Sequence, residues 1–188
     1  MNTVNDTCVQ LVSHYDKLNN RLNTTENFKP VMDSRGIWTS GFGHALLNPA
    51  GGGFLIGAEN EATADSLGTL PDMNAANALL QSDLKEFAEQ VTKGLGVEIS
   101  DNQFAALVSF AFNLGIDCLW DTNVGKLINA GQGAAAMGHL ILYDMAGTKR
   151  LQGLYARRMT ERNLYLTNTL VFYDSDENFN LTAEAPVS

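Results

Sequence analysis

The run Asp33-Ser34-Arg35-Gly36-Ile37-Trp38-Thr39-Ser40-Gly41-Phe42-Gly43-His44 sets a carboxylate, a turn glycine, a hydroxyl, two further glycines and an imidazole at fixed offsets. Two more carboxyl groups precede it, Asp16 and Glu26. Carboxyl and imidazole side chains are common carriers of protons in catalysis, provided their pKa values suit the task. Taken singly, these residues are uninformative. Asp33 can simply open an Asx-turn over Ser34-Arg35-Gly36, Thr39 can be an ordinary strand residue, and Glu26 lies in a polar stretch where a solvated charge is expected. His44 in isolation reads as a general base. Cys8 and Cys118 lie far apart with no Cys-x-x-Cys or Cys/His clustering, so neither a zinc site nor a disulfide framework is signalled, and two buried free thiols are expected.

As a set, the run resembles the phage-type lysozyme signature, Asp-x-x-Gly-x-x-Thr-x-Gly-x-Gly-His, which in that family passes through the sheet bordering the active site. Two later segments extend the resemblance in the correct order. Asn102 to Gly115 is similar to the family's central helix and following turn, and Gly153 to Arg162 is similar to its Arg-rich C-terminal helix. The resemblance runs from about Cys8 to about Leu166. It implies a muramidase of the endolysin type, hydrolysing the β-1,4 bond between N-acetylmuramic acid and N-acetylglucosamine of the peptidoglycan glycan strand, with no metal or cofactor.

Glycoside hydrolysis generally needs two carboxyl groups, one protonated to release the leaving oxygen and one ionised to activate water or stabilise charge. The family supplies a Glu at the end of the first helix as the acid, an Asp before the sheet turn, and a Thr that helps hold the attacking water. Asp33 and Thr39 match the last two by offset and type. The acid departs from the pattern: the usual nine-residue spacing selects Thr24, which cannot serve as a general acid. Glu26 requires a two-residue deletion, and Glu26-Asn27-Phe28-Lys29-Pro30 resembles the family's Glu, Gly, apolar and basic sequence. Asp16 competes, because Leu11 to Asp16 can be laid on the family's apolar helix end, at the cost of an eight-residue insertion and a shorter side chain. The expected site is therefore Glu26, Asp33 and Thr39, with Asp16 as the alternative acid. By the same resemblance His44 is a hydrogen-bonding support. Trp38 and Phe42 are expected to pack rather than to stack on sugars. Arg157 and Arg158 hold a catalytic carboxylate, contact the glycan, or lie on an exposed helical face.

The elements that position these residues follow from periodicity. Val4, Cys8, Leu11, Val12, Tyr15, Leu18 and Leu22 recur at three and four, which predicts a first helix over Val4 to Leu22. Glu26 would stand at its end only if it ran a further turn. Phe28 to His44 predicts a small hairpin or three-stranded sheet, and Ala45 to Pro71, with Gly51-Gly52-Gly53, a long surface excursion. Helices are predicted over Asn74 to Leu95, Ser100 to Asn113 (with Ser100 as N-cap and Gly115 as stop), Asn123 to Asn129, Ala134 to Tyr143 and Leu154 to Thr167. The fold expected is α+β and lysozyme-like, one domain over 1–170. An N-terminal helix and a sheet lobe at about 28–72 pack on a helical lobe at about 73–170 with a cleft between them, and an acidic tail covers 171–188.

Composition narrows the partners. The 188 residues are 45% hydrophobic and 18% charged, the balance of a compact folded chain. A net charge of −9 argues against a nucleic-acid ligand, which requires basic patches, and also slows encounter with anionic envelope polymers. No signal core and no run of about 18 apolar residues is evident. The expectation is a monomer with no stable membrane insertion, held in the host cytoplasm until a separate holin-type protein releases it to the periplasm and cell wall. The acidity and the displaced acid also motivate an alternative, a catalytically weakened lysozyme-fold protein that binds peptidoglycan or a protein partner.

Overall fold

The computed structural model describes residues 3–18 and 28–184. The chain divides into two compact units, one of Asp16–Asp83 and one that joins Met1–Tyr15 to Leu84–Ser188.

In the first unit, β1 (Val31–Met32), β2 (Trp38–Ser40) and β3 (His44–Ala45) form an antiparallel sheet in the order β1-β2-β3. Val31 lies opposite Thr39, and Ser40 opposite His44. The turn from β1 to β2 needs Gly36, whose φ of +80° is strained for residues carrying a Cβ. Every residue of β2 is buried. Trp38 is the reason the sheet needs covering: a side chain this large must bury its faces while its N–H finds a partner. It packs with Leu46, Leu55 and Ala64, and its Nε1 donates to the Gly57 carbonyl at 2.8 Å.

That cluster corrects the expectation of a surface excursion at 45–71. The segment contains a 3₁₀ turn at Ala58–Asn60 and helix α2 (Glu61–Gly68), and it supplies all three of the core residues clustered with Trp38. The C-terminal end of α2 is seated tightly, because a Cβ on Gly68 would come within 2.7 Å of Leu46 and 2.8 Å of Pro30. Ser40 Oγ donates to the Gly68 carbonyl at 2.5 Å, which ties β2 to α2.

The second unit is helical. It comprises α1 (Asp6–Tyr15), the later part of α3 (Met73–Gly94), α4 (Asp101–Leu114), α5 (Ile116–Trp120), α6 (Asn123–Asn129), α7 (Gly133–Leu140) and α8 (Gln152–Thr167). At its centre is α4, buried without interruption from Phe104 to Ala111 and packed on α1, α5 and α8. Its ends behave as the sequence requires. Ser100 and Gln103 form a reciprocal capping box, and Gly115 at φ +93° ends the helix.

Three boundaries differ from expectation. Helix α1 stops at Tyr15 and the chain bends at Asp16. Leu18 continues the apolar spacing, yet an Asp side chain competes with helical backbone hydrogen bonds and marks the stop. Helix α7 stops at Leu140, and the chain turns into a short hairpin of β4 (Met145–Ala146) and β5 (Lys149–Arg150). The segment expected as an acidic tail carries a second hairpin, β6 (Tyr173–Ser175) with β7 (Leu181–Ala183), packed on α8. Among the described residues no helix is long and apolar enough to cross a membrane.

Candidate active site

Asp33 occupies the turn between β1 and β2, and its carboxylate is held from three directions. Oδ1 accepts from the Arg35 amide at 2.8 Å and the Ile37 amide at 2.9 Å, and Oδ2 accepts from Arg35 Nε at 3.0 Å. The Asp33 amide in turn donates to the Ile37 carbonyl at 2.8 Å. Partial burial pushes the carboxyl upward, but the two amides and the Arg35 guanidinium outweigh it and hold Asp33 below the usual carboxylate range. The Asx-turn and the catalytic reading therefore describe one arrangement: the bonds that shape the turn also keep the group ionised.

Thr39 is buried, and its hydroxyl donates to the Val31 carbonyl at 3.0 Å. Because 31 faces 39 and 32 faces 38, the register continues to 33 facing 37. Strand alternation then sets Asp33 and Thr39 on one face of the hairpin. His44, which pairs with Ser40 and so belongs to the other face of the sheet, has its Nδ1 2.9 and 3.0 Å from the two carboxylate oxygens of Asp83 on α3, which fixes β3 to that helix. Trp38 and Phe42 are both buried as packing residues.

Asp16 is half-buried and directly follows the last residue of α1. Glu26, the acid favoured by the spacing, lies outside the described residues.

In the helical unit the two arginines of α8 do not lie on an exposed face, which removes one of the three readings open to them. Arg157 and Arg158 are 2% and 0% exposed, and Glu161 between them is 0% exposed. Glu161 Oε1 accepts from Ser109 Oγ at 2.7 Å, Arg158 Nη2 at 2.8 Å and Arg157 Nε at 3.2 Å, while Oε2 pairs with Arg158 Nε at 2.7 Å. Arg157 Nη2 also reaches the carbonyl and the hydroxyl of Ser109, both at 3.2 Å. Sequence reasoning missed Glu161 and Asp83. For Glu161 a signal existed, the (i, i+4) and (i, i+3) spacing from the two arginines. For Asp83 there was none, since its partner is 39 residues away.

The sequence model of the Phage lysozyme family matches residues 24–161. The chain belongs to this family. Among individual relatives, the endolysin of Salmonella phage P22 is 30% identical over 145 residues, which is 76% of this chain and 88% of the relative. The endolysin of Bacillus phage B103 is 39% identical over 92 residues, 49% of this chain. The match to B103 and to the endolysin of Bacillus phage PZA spans 35% and 36% of those proteins, about a third of their length. Two solved structures share the fold. The muramidase domain of SpmX from Asticaccaulis excentricus superposes with a TM-score of 0.69 at 24% identity, over 88% of this chain and 99% of that one. The endolysin from Escherichia coli O157:H7 phage FAHEc1 gives 0.62 at 25% identity, over 89% and 96%. The fold is thus α+β and lysozyme-like, and the family match embraces Asp33, Thr39, His44, Asp83 and the α8 arginines.

The Asp33 environment carries a testable pH dependence. An ionised Asp33 loses its charge as pH falls through its lowered pKa, which sets an acid limit to any activity that depends on that charge. Arg35→Ala removes one of the groups that lower it, so Asp33 protonates at higher pH and the acid limb of the pH–rate profile moves upward. The Arg35 side chain is 73% exposed, so the displacement shrinks as salt is raised. An acid limb unmoved by Arg35→Ala at low salt rules out Arg35 as a determinant.

Proposed function

We propose that this chain is a peptidoglycan muramidase that hydrolyses the β-1,4 bond between N-acetylmuramic acid and N-acetylglucosamine, with Asp33 as the ionised carboxylate, Thr39 beside it on the attacking water, and Asp16 as the proton donor. The observation that carries the reading is Asp33, held ionised inside the family's signature hairpin with Thr39 on the same face. The choice of Asp16 over Glu26 rests on α1, which ends at Tyr15, so that the carboxyl group at the end of the first helix is that of Asp16. A donor next to the end of a packed helix is held in position by that rigid element.

In this mechanism the Asp16 carboxyl gives its proton to the glycosidic oxygen as the bond to the anomeric carbon breaks. Positive charge grows on that carbon and its ring oxygen, and the Asp33 carboxylate stabilises it. The oxygen of a water attacks the anomeric carbon, and a water proton passes to Asp33. Exchange with solvent then returns each carboxyl group to its starting state. Thr39, buried and fixed by its bond to Val31, orients the water without taking a proton.

Digestion of purified peptidoglycan, followed by reduction of the new chain ends, tests the bond cleaved. Reducing-end N-acetylmuramic acid is expected. New ends of N-acetylglucosamine, anhydro ends, or no ends at any pH from acid to neutral overturn the reading.

A further inference from the structure

We infer that the C-terminal hairpin, residues 172–184, is a clasp that positions the end of α1 and, through it, the proton donor. It rests on the reading of Asp16 as that donor. The hairpin lies beyond the residues matched by the family model, which end at 161, and its role is argued from its contacts alone.

Those contacts converge on His14 and Tyr15, the two residues directly before Asp16. The Tyr15 hydroxyl donates to the Tyr173 carbonyl at 3.1 Å and accepts from the Tyr173 amide at 3.3 Å. It also lies 2.6 Å from Thr160 Oγ1 on α8, which must donate because the phenol proton is already committed. One phenol oxygen thus joins α1, α8 and β6. Burial pushes the phenol up to about 12, so it keeps its proton at any working pH. His14 stacks on Phe172 with ring centroids 4.0 Å apart and planes 14° from parallel, and its Nε2 lies 3.0 Å from Glu184 Oε1. Glu184 closes the base of the hairpin, its amide donating to the Phe172 carbonyl at 2.9 Å.

The far end of the hairpin is fastened as well. The Arg150 guanidinium, paired with Asp144, lies 4.3 Å from the Tyr155 ring and 4.2 Å from the Phe179 ring, and the two rings meet edge to face with centroids 5.7 Å apart. Phe179 adopts φ +60°, a strained conformation for a bulky residue. A hairpin that served only to trail from α8 has no need of a ring stack at one end and a strained aromatic and cation contact at the other. Fastened at both, it acts as a brace, and the part of the fold it braces is the last turn of α1.

The test uses the full chain with Tyr15→Phe, which keeps the ring and removes the shared oxygen, and Phe172→Ala, which removes the stack on His14. A misplacement near 1 Å costs on the order of 100-fold in rate, so kcat on peptidoglycan is expected to fall about 10- to 100-fold in each, with KM within about twofold. Phe172→Tyr, which restores the stack, recovers kcat. Thermal unfolding run in parallel confirms that the assay temperature lies below the transition of every variant. Parental kcat in both Tyr15→Phe and Phe172→Ala, whatever their thermal stability, overturns the inference and leaves the hairpin a purely stabilising element. Asp16→Asn separates the two readings. If it is inactive while Tyr15→Phe and Phe172→Ala are fully active, the donor stands and the clasp falls. If it is fully active, the donor is wrong and the clasp falls with it.

Discussion

Asp16→Asn is expected to lower kcat on peptidoglycan by about 100- to 10,000-fold, the range over which a positioned general acid contributes, while leaving the fold intact. The substitution is close to isosteric at a half-buried position, so the lost proton is the main change. KM is expected to hold, because the proton is delivered only as the bond breaks and binding of the glycan precedes it. Glu26→Gln is the paired experiment, and parental activity is expected of it. The opposite pattern, an inactive Glu26→Gln with an active Asp16→Asn, returns the donor to the residue chosen by spacing and shows that the end of α1 is no guide to the acid. The two variants bear on one question from opposite sides, and lysis of permeabilised Gram-negative cells followed by turbidity is sufficient to read both.

The largest expected effect on stability is at Glu161. Its carboxylate is fully buried and accepts hydrogen bonds from Ser109 and both arginines. Breaking a buried ion pair by neutralising one partner typically costs about 3–5 kcal/mol, because the remaining charge is stranded. Here Glu161→Gln strands charge on two guanidinium groups against total stabilities of about 5–15 kcal/mol for folded domains. The transition temperature is expected to fall by roughly 6–20 °C, taking about 2–4 °C per kcal/mol for a chain of this size. Replacing Arg157, Arg158 and Glu161 together by apolar residues of similar volume is expected to cost less than Glu161→Gln alone. Circular dichroism during heating measures both, and a drop under about 2 °C for Glu161→Gln, less than 1 kcal/mol on the same scale, refutes the buried-pair account.

How much of this was legible beforehand depends on whether the determining residues are neighbours in sequence. Helix α4 was readable because its cap, apolar face and stop lie within one run from Ser100 to Gly115. The Asp33 turn was readable for the same reason: Asp33, Arg35, Gly36 and Ile37 close on one another. Helix α2 was hidden because its buried residues are both small, Ala64 meeting Trp38 from a distant strand and Gly68 meeting Leu46 and Pro30. The end of α1 was hidden because Leu18 and Leu22 prolong a convincing apolar period past the point where Tyr15 is pinned by Thr160, 145 residues later. An exposed face was one open reading for the arginines of α8 because a charge on a helix is normally solvated, and Ser109 on α4, distant in sequence, joins Glu161 in the polar surroundings that let them enter the core. In each case local chemistry set the element and remote chemistry set its limit or its burial.

The order of the two units along the chain bears on how the protein matures. On the ribosome α1 is made before the surface it packs on, and α4 follows more than eighty residues later. The sheet unit, Asp16–Asp83, is uninterrupted and has all of its residues once synthesis reaches Asp83. During that interval the apolar face of α1, with Cys8, Leu11 and Val12, has no native surface to cover it. Docking of α1 is therefore a late event in synthesis, and the nascent chain passes through a stage in which the sheet unit has all its residues while an amphipathic helix is left uncovered, open to chaperones or to aggregation.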